Sequence, residues 1–194
     1  MNPAYYKQQL LDELYRPYVK CIECPLGTLG RTHVVFGSGN PDARLMFIGE
    51  GPGQDEDIQG KPFVGRSGKL LNTIFATLGL ERSHVYISNI VKCRPPQNRK
   101  PTSFEMKTCK DLLLTKQINI IRPKVICTLG SSALEGLLER PVKIGQLRGT
   151  KLVVNGIEVV PTYHPAYVLR NPAGLPELTR DIKRAFELIQ NNSQ

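Results

Sequence analysis

The chain has 194 residues, enough for one domain with a substantial core, and 40% of its residues are hydrophobic. It contains no apolar run of about 18 residues, and its amino terminus lacks the apolar stretch of a secretion signal, so a cytoplasmic protein without a membrane span is expected. Lysine and arginine total 26 against 17 acids, and a net charge of +9 suits a phosphate-bearing partner, although a basic protein without one has the same composition.

Hydrophobic periodicity predicts an alternation of helices and strands along the chain. Helices are expected at residues 4–18, 67–79, 102–116, just after 130, and at 176–190. Strands are expected at residues 45–48, 85–91 and 124–129, and in a hairpin at 152–160 whose Asn155 and Gly156 suit a type I′ turn. Segments 26–43 and 58–66 are expected to be irregular. This order implies a mostly parallel central sheet covered on both faces, a three-layer α/β/α sandwich in one domain over residues 1–194.

Polar residues follow the carboxyl ends of three predicted strands. A tight turn with three glycines and one proline at residues 49–53 carries Glu50, Asn89 lies near the end of the second strand, and His164 follows the last strand before Pro165. Parallel strands open their carboxyl ends at one edge of the sheet, where α/β folds bind ligands. The sequence therefore predicts that these turns face one another across a site.

Each candidate residue at this edge also has an ordinary structural interpretation. His164 could be a simple loop histidine, and Asn89 could cap a strand, yet a planar amide also matches the edge of a base. Phe63 could belong to the core, but it lies in a polar, glycine-flanked loop and is a candidate platform for stacking a base. Residues 49–53 and 60–67 fail as dinucleotide and P-loop motifs, because Gln54 and Arg66 occupy positions that require glycine and lysine.

Five cysteines in a cytoplasmic chain argue against a disulfide framework. Cys21 and Cys24 form a C-x-x-C pair, Cys93 and Cys109 lie farther along, and Cys127 falls in a predicted buried strand where packing explains it. The four cysteines outside that strand could hold an iron–sulfur cluster or a zinc ion, or could be free thiols. Basic residues cluster in two loops, which favours nucleic acid: Arg94, Arg99 and Lys100, and Lys143, Arg148 and Lys151.

Taken together, the motifs resemble those of the iron–sulfur uracil-DNA glycosylases, the family-four enzymes. The resemblance rests on residues 49–53, 60–65, Asn89 before residues 93–96, residues 164–167 and the cysteine pattern, and it covers about 21–180. It implies a [4Fe–4S] cluster on Cys21, Cys24, Cys93 and Cys109, in place of zinc. Such a cluster would fix the basic loop around residues 94–100.

The resemblance also implies an activity, the excision of uracil flipped out of single- or double-stranded DNA, leaving an abasic site. Catalysis is assigned to His164, Glu50 and Asn89. The uracil subsite is expected to contain Glu50, Gly51, Pro52, Glu56, Phe63, Asn89 and His164. Candidates for DNA contact are Arg94, Arg99 and Lys100, with a wedge from Val168, Leu169 or Arg170 that fills the vacated stack.

Within this interpretation, Phe63 stacks on uracil, Asn89 pairs with the O4/N3 edge, and His164 donates a hydrogen bond to O2. Glu56 or Glu50 near C5 is expected to exclude the methyl group of thymine. Better-known uracil glycosylases have an aspartate where this chain has Gly51. The group that activates water therefore stays open among Glu50, Glu56 and Asp57, or none of them is essential.

The expected partner is uracil-containing DNA, bound by a monomer, with the nucleoid as its location in a prokaryote and a sliding clamp as a further candidate partner. Two alternatives have the same charge and cysteines. One is a non-catalytic iron–sulfur DNA-binding module of the same fold, and the other is a zinc-stabilised nucleic-acid binder.

Overall fold

A six-stranded sheet forms the centre of the computed structural model, which describes residues 3–191; the predicted domain, 1–194, extends slightly beyond them at both ends. The strands are β1 (Ser38–Gly39), β2 (Leu45–Gly49), β3 (Val85–Asn89), β4 (Val125–Leu129), β5 (Leu152–Val154) and β6 (Ile157–Thr162). Their order is β1-β3-β2-β4-β6-β5, with the inner four parallel and both edge strands antiparallel. The predicted mostly parallel sheet is confirmed.

Helices cover both faces of this sheet. They are α1 (Pro3–Tyr15), α2 (Gln54–Gln59), α3 (Arg66–Thr77), α4 (Ser103–Cys109), α5 (Thr115–Ile121), α6 (Ser131–Leu138), α7 (Ile144–Leu147), α8 (Pro165–Arg170) and α9 (Leu175–Asn191), with a π-helical segment, Lys110–Leu114, joining α4 to α5. Met46 and Ile48 pack with α1, α4, α5 and α6, whereas Leu45 and Phe47 pack with α3, α8 and α9. Alternate residues of β2 thus enter two separate cores, which confirms the three-layer sandwich.

Local hydrogen bonds and turn geometry support the elements expected from the sequence. Thr102 caps α4 in a reciprocal capping box with Glu105, whose backbone N–H lies 3.2 Å from the Thr102 hydroxyl. In the hairpin, Asn155 and Gly156 have φ values of 49° and 80°, as a type I′ turn requires. None of the helices within residues 3–191 is long and apolar enough to cross a membrane.

The structure differs from the sequence expectations in two places around the acidic segment. No helix was expected between residues 49 and 66, but Asp55, Glu56 and Asp57 lie in the first turn of α2. Acidic side chains stabilise a helix N-terminus electrostatically, and this short polar helix has no apolar periodicity that would reveal it. Helix α3 begins at Arg66 after Gly65, one residue before the predicted helix at residues 67–79.

Candidate active site

The turns after β2, β3 and β6 open into one pocket of about 750 Å³ at the carboxyl edge of the sheet. All seven residues predicted for the subsite line it: Glu50, Gly51, Pro52, Glu56, Phe63, Asn89 and His164. The rings of Phe63 and His164 lie 5.8 Å apart between centroids and are inclined by 35°. The structure therefore brings together, in a shared cleft, residues that are about 100 positions apart in the chain.

His164 is held in one protonation state and one tautomer. It caps α8, where its Nδ1 accepts a hydrogen bond from the backbone N–H of Ala166 at 3.0 Å. Nδ1 must then be unprotonated, so Nε2 carries the hydrogen. Burial, with a smaller contribution from the positive charge of Arg170, lowers the pKa of His164 to about 4. At neutral pH the imidazole is therefore a neutral hydrogen-bond donor.

Asn89 ends β3 with its side chain 1% exposed and lining the pocket. Its Oδ1 atom is buried and has no hydrogen-bond partner among residues 3–191. Leaving a buried polar atom unpaired costs about 1–3 kcal/mol, so a ligand that donates to it gains that energy. Gly49 makes room for this arrangement, because a Cβ there would lie 2.4 Å from Asn89 Oδ1 and 2.6 Å from Phe63 Cζ.

Two of the three carboxylates predicted to activate water bind backbone amides instead. The carboxylate of Glu56 accepts N–H groups from Gly53, Val64 and Gly65 at 3.1, 2.9 and 2.8 Å. Asp57 accepts from two amides of the preceding loop, at residues 32 and 33. Asp57 also lies outside the residues that line the pocket. Of the three, Glu50 alone lines the pocket without a role in holding these loops.

Sequence reasoning missed Lys92, a fully buried lysine behind the pocket. Its ammonium group donates to the backbone oxygen of Asn89 at 2.8 Å, to Gln117 Oε1 at 2.7 Å and to Ser88 Oγ. These bonds fix the end of β3, and hence the position from which Asn89 enters the pocket. A lysine beside a cysteine in a loop gives no sequence signal of burial, because most lysines are exposed.

Most of the predicted basic clusters are neutralised by nearby acids. Lys100 pairs with Glu135, Lys151 with Glu158 at 2.6 Å, Arg148 with Asp181 at 3.0 Å, and Arg99 binds both carboxylate oxygens of Glu105 at 2.7 and 2.8 Å. Arg94 has no carboxylate partner within the described part of the chain. The clusters that favoured nucleic acid in the sequence thus supply less free positive charge than their composition indicated.

A different group of cations lies close in sequence to residues that line the pocket. Lys61, Arg66 and Lys69 are exposed, and none pairs with a carboxylate among residues 3–191. They flank Phe63 and Ser67, both of which line the pocket. We call these three residues the cationic rim.

The segment after His164 corrects the predicted wedge. Val168 is 2% exposed and packs in the core with residues of α3 and α9, so it cannot enter a base stack. Leu169 and Arg170 remain exposed. Tyr167, which was not predicted, is 42% exposed, lines the pocket and packs against Tyr163, with ring centroids 5.0 Å apart and planes inclined by 38°.

Four of the five cysteines line one small cavity on the other side of Lys92. It is formed by Cys21, Cys24, Cys93 and Cys109 with apolar neighbours that include Val34, Val91 and Leu113. The four thiols are close enough to affect one another, since the pKa of Cys93 is raised mainly by burial and also by the other three. Cys127 is fully buried in β4, away from this cavity, which agrees with the predicted packing role.

The four cysteines offer thiolate ligands in a cavity with an apolar lining. Four thiolates are the donor set of both zinc sites and iron–sulfur clusters. The apolar lining also shields such a group from water.

The fold and the pocket define a class, α/β/α proteins with a ligand-sized pocket at the carboxyl edge of a parallel sheet, lined here by an aromatic ring, an amide and an imidazole. The family model described as the uracil DNA glycosylase superfamily matches residues 36–189. The type-4 uracil-DNA glycosylase of Thermotoga maritima is 45% identical over 192 residues, covering 96% of this chain and 98% of that protein. The type-4 enzyme of Archaeoglobus fulgidus is 40% identical, covering 92% of each chain. The chain therefore belongs to the type-4 uracil-DNA glycosylases.

Proposed function

We propose that this protein removes uracil from DNA by hydrolysing the bond between the base and deoxyribose. The observation that carries the proposal is the convergence of Phe63, Asn89 and a neutral His164 in one pocket. Uracil has a flat ring for the phenyl group, a polar edge for the amide and an O2 atom for the imidazole. A base must leave the stack to reach such a pocket, which costs roughly a few kcal/mol.

Asn89 supplies the discrimination between uracil and cytosine. Its amide pairs with O4 and N3–H of uracil, and cytosine presents the opposite donor and acceptor pattern at that edge. A cytosine in the pocket leaves buried groups unpaired, and sites of this kind discriminate by factors on the order of 10⁴ in favourable cases. That Glu50 or Glu56 excludes the thymine methyl group stays a prediction. Glu56 is the weaker candidate, because its carboxylate is bound to backbone amides.

His164 stabilises the departing base. As the bond from C1′ to N1 breaks, its electron pair moves onto uracil and charge develops on O2. The hydrogen on Nε2 of His164 then makes a stronger bond to O2 than it does in the ground state. A donor positioned in advance in this way contributes roughly 3–4 kcal/mol to catalysis.

We assign Glu50 as the group that activates the attacking water. The sugar becomes cationic as the base departs, and a water oxygen forms the new bond to C1′ while its proton passes to the carboxylate or to solvent. Glu56 and Asp57 are bound by backbone amides, whereas Glu50 borders the pocket. The carboxylate also favours the positive charge on the sugar by simple electrostatic attraction.

We further propose that Cys21, Cys24, Cys93 and Cys109 hold a [4Fe–4S] cluster. The backbone N–H of Lys92 lies 3.3 Å from the sulfur of Cys109, and hydrogen bonds to the sulfurs are typical of protein-bound clusters. When bound, the group supplies rigidity to the segment between Asn89 and the loop at residues 94–100. The uracil chemistry itself uses the side chains already described.

Replacement of Cys93 with alanine is expected to give colourless, poorly folded protein. One iron loses its ligand, so the cluster is not held and the cavity that it would fill stays empty. The visible absorption spectrum and the melting temperature measure both effects. Cys127→Ala is the control: it removes an equally buried thiol outside the cavity and should leave a brown, active protein. A brown and active Cys93→Ala variant would remove this residue from the ligand set.

We propose that the cationic rim, with Arg94 and Arg170, binds the phosphates that flank the flipped nucleotide. We also propose that Tyr167 or Leu169 occupies the space that the base leaves in the stack. For a Lys61→Gln, Arg66→Gln double variant, we expect the slope of log K against log salt on single-stranded DNA to shrink by about 0.7 for each phosphate that is no longer bound. Lys151→Gln is the control, since Glu158 already neutralises that lysine. Equal slopes for the wild type and the double variant would contradict the assignment.

The function is tested by incubating the protein with single- and double-stranded DNA that carries one uracil, followed by alkali to cut abasic sites. Cleavage at uracil and not at cytosine or thymine is expected. DNA binding that leaves the base attached would favour the alternative, a non-catalytic iron–sulfur binding module. A monomeric state and a sliding-clamp partner stay predictions from the sequence.

A further inference from the structure

We infer that Arg82 and Glu56 form a two-sided backbone clamp that holds Phe63 in the conformation needed to stack a base. The inference rests on the proposed function and goes beyond it, because that function leaves Arg82 without a role and gives Glu56 none in positioning Phe63. We call the pair the Phe63 clamp. Arg82 lies just before β3, 19 residues away from Phe63 in sequence.

The arginine side of the clamp holds two consecutive carbonyl groups. The Nη2 atom of Arg82 donates to the backbone oxygen of Pro62 at 2.7 Å, and Nη1 donates to that of Phe63 at 2.9 Å. Nη1 also donates to Asn72 Oδ1 at 3.2 Å, which orients the guanidinium from α3. A planar fork of donors is suited to such paired acceptors, and lysine is not equivalent in this role.

The glutamate side holds the next two amides. Glu56 Oε1 accepts the backbone N–H groups of Val64 and Gly65 at 2.9 and 2.8 Å. Two carbonyls thus bind a cation and the following two amides bind an anion, so the segment is fixed on both sides. Burial lowers the pKa of Arg82, and the negative charge of Glu56 partly offsets this effect, so the two side chains attract one another.

Phe63 needs this restraint because its backbone is strained. Its φ is +53°, in the left-handed region that bulky residues rarely adopt. Gly68 accommodates the strained segment, since a Cβ at that position would lie 1.8 Å from the Phe63 oxygen. Without the clamp, the segment is free to relax to an ordinary conformation, and the ring then leaves its position 5.8 Å from His164. A base that binds must then bring the Phe63 ring back to that position.

The clamp predicts a specific effect on uracil affinity. In Arg82→Met, the inhibition constant of free uracil should rise by about 10- to 100-fold, the range that corresponds to the strain of one left-handed residue. Affinity for undamaged DNA should not change, because Arg82 does not line the pocket. Arg184→Met is the control: Arg184 also donates to a loop carbonyl, that of Gly149, and its loss should leave uracil inhibition unchanged.

A double-mutant cycle separates this role from a general loss of stability. If the clamp acts through the phenyl ring, Arg82→Met should weaken uracil binding in the wild type and have no further effect in a Phe63→Ala background. Equal effects in both backgrounds, or wild-type inhibition in Arg82→Met, would overturn the inference. Should Arg82→Met fail to fold, Arg82→Lys takes its place. Its affinity for free uracil should fall by about 3- to 10-fold, because one hydrogen bond is removed. Wild-type inhibition of this variant would overturn the inference. Failure of the proposed function is recognised separately, because the wild type would then not release uracil.

Discussion

Asn89→Ala is expected to slow uracil release by at least ~100-fold, on the scale measured for a lost donor to a developing charge. The amide is the group in the pocket that matches both O4 and N3–H, and alanine leaves that edge of uracil facing an empty space. The rate is measured under single-turnover conditions with a uracil-containing oligonucleotide. Product release then does not mask the chemical step.

The same substitution should not lower stability, and this separates catalysis from folding. In the free protein, Asn89 Oδ1 is buried without a partner among the described residues, so its removal relieves a cost at the same time as it leaves a small cavity. A melting temperature equal to or above that of the wild type is expected. Asn119→Ala, an asparagine at the opposite edge of the sheet, is the control for activity. Near-normal uracil release by Asn89→Ala would reject its role.

The sequence could predict some parts of the site and not others. Glycine turns after buried strands have a strong local signal, and the topology of a parallel sheet brings strand ends together. Glu50, Asn89 and His164 were therefore predictable as a group, whereas Phe63 was predicted from its polar, glycine-flanked loop. The reason for glycine at residue 49 was not, because it depends on contacts with residues 63 and 89 that only the folded chain creates.

Charge was predictable in total but not in location. A composition of +9 correctly indicates a basic protein, yet four cations of the two predicted loops pair with acids that lie 6 to 35 residues away. Pairing between distant positions has no sequence pattern comparable to helical periodicity. For the same reason Glu56 and Arg82 were not recognised as a pair: each holds the backbone of a third segment, and neither has a distinctive neighbour in sequence.

His164→Ala is also expected to slow uracil release by at least ~100-fold, because the developing charge on O2 loses its donor. His84→Ala is a matched control: the Nδ1 atom of His84 likewise accepts a backbone N–H, from Glu81 at 3.3 Å, but the residue is exposed and outside the pocket. Wild-type and His84→Ala rates should therefore agree. A His164→Ala variant with near-normal release would reject the assignment of this histidine to O2.

The pH dependence provides a second test of His164. Its pKa is lowered from 6.5 to about 4, so the neutral donor persists from alkaline pH down to about 4, and wild-type activity should lack the usual histidine step near pH 6.5. Between these values the unfolded chain binds a proton that the folded protein does not, so His164 costs the wild type stability as the pH falls. His164→Ala should therefore gain stability relative to the wild type from pH 6.5 to 4, as measured by denaturant unfolding. A constant difference across that range would mean that the imidazole titrates normally, and that a neutral Nε2 donor is not what the pocket provides.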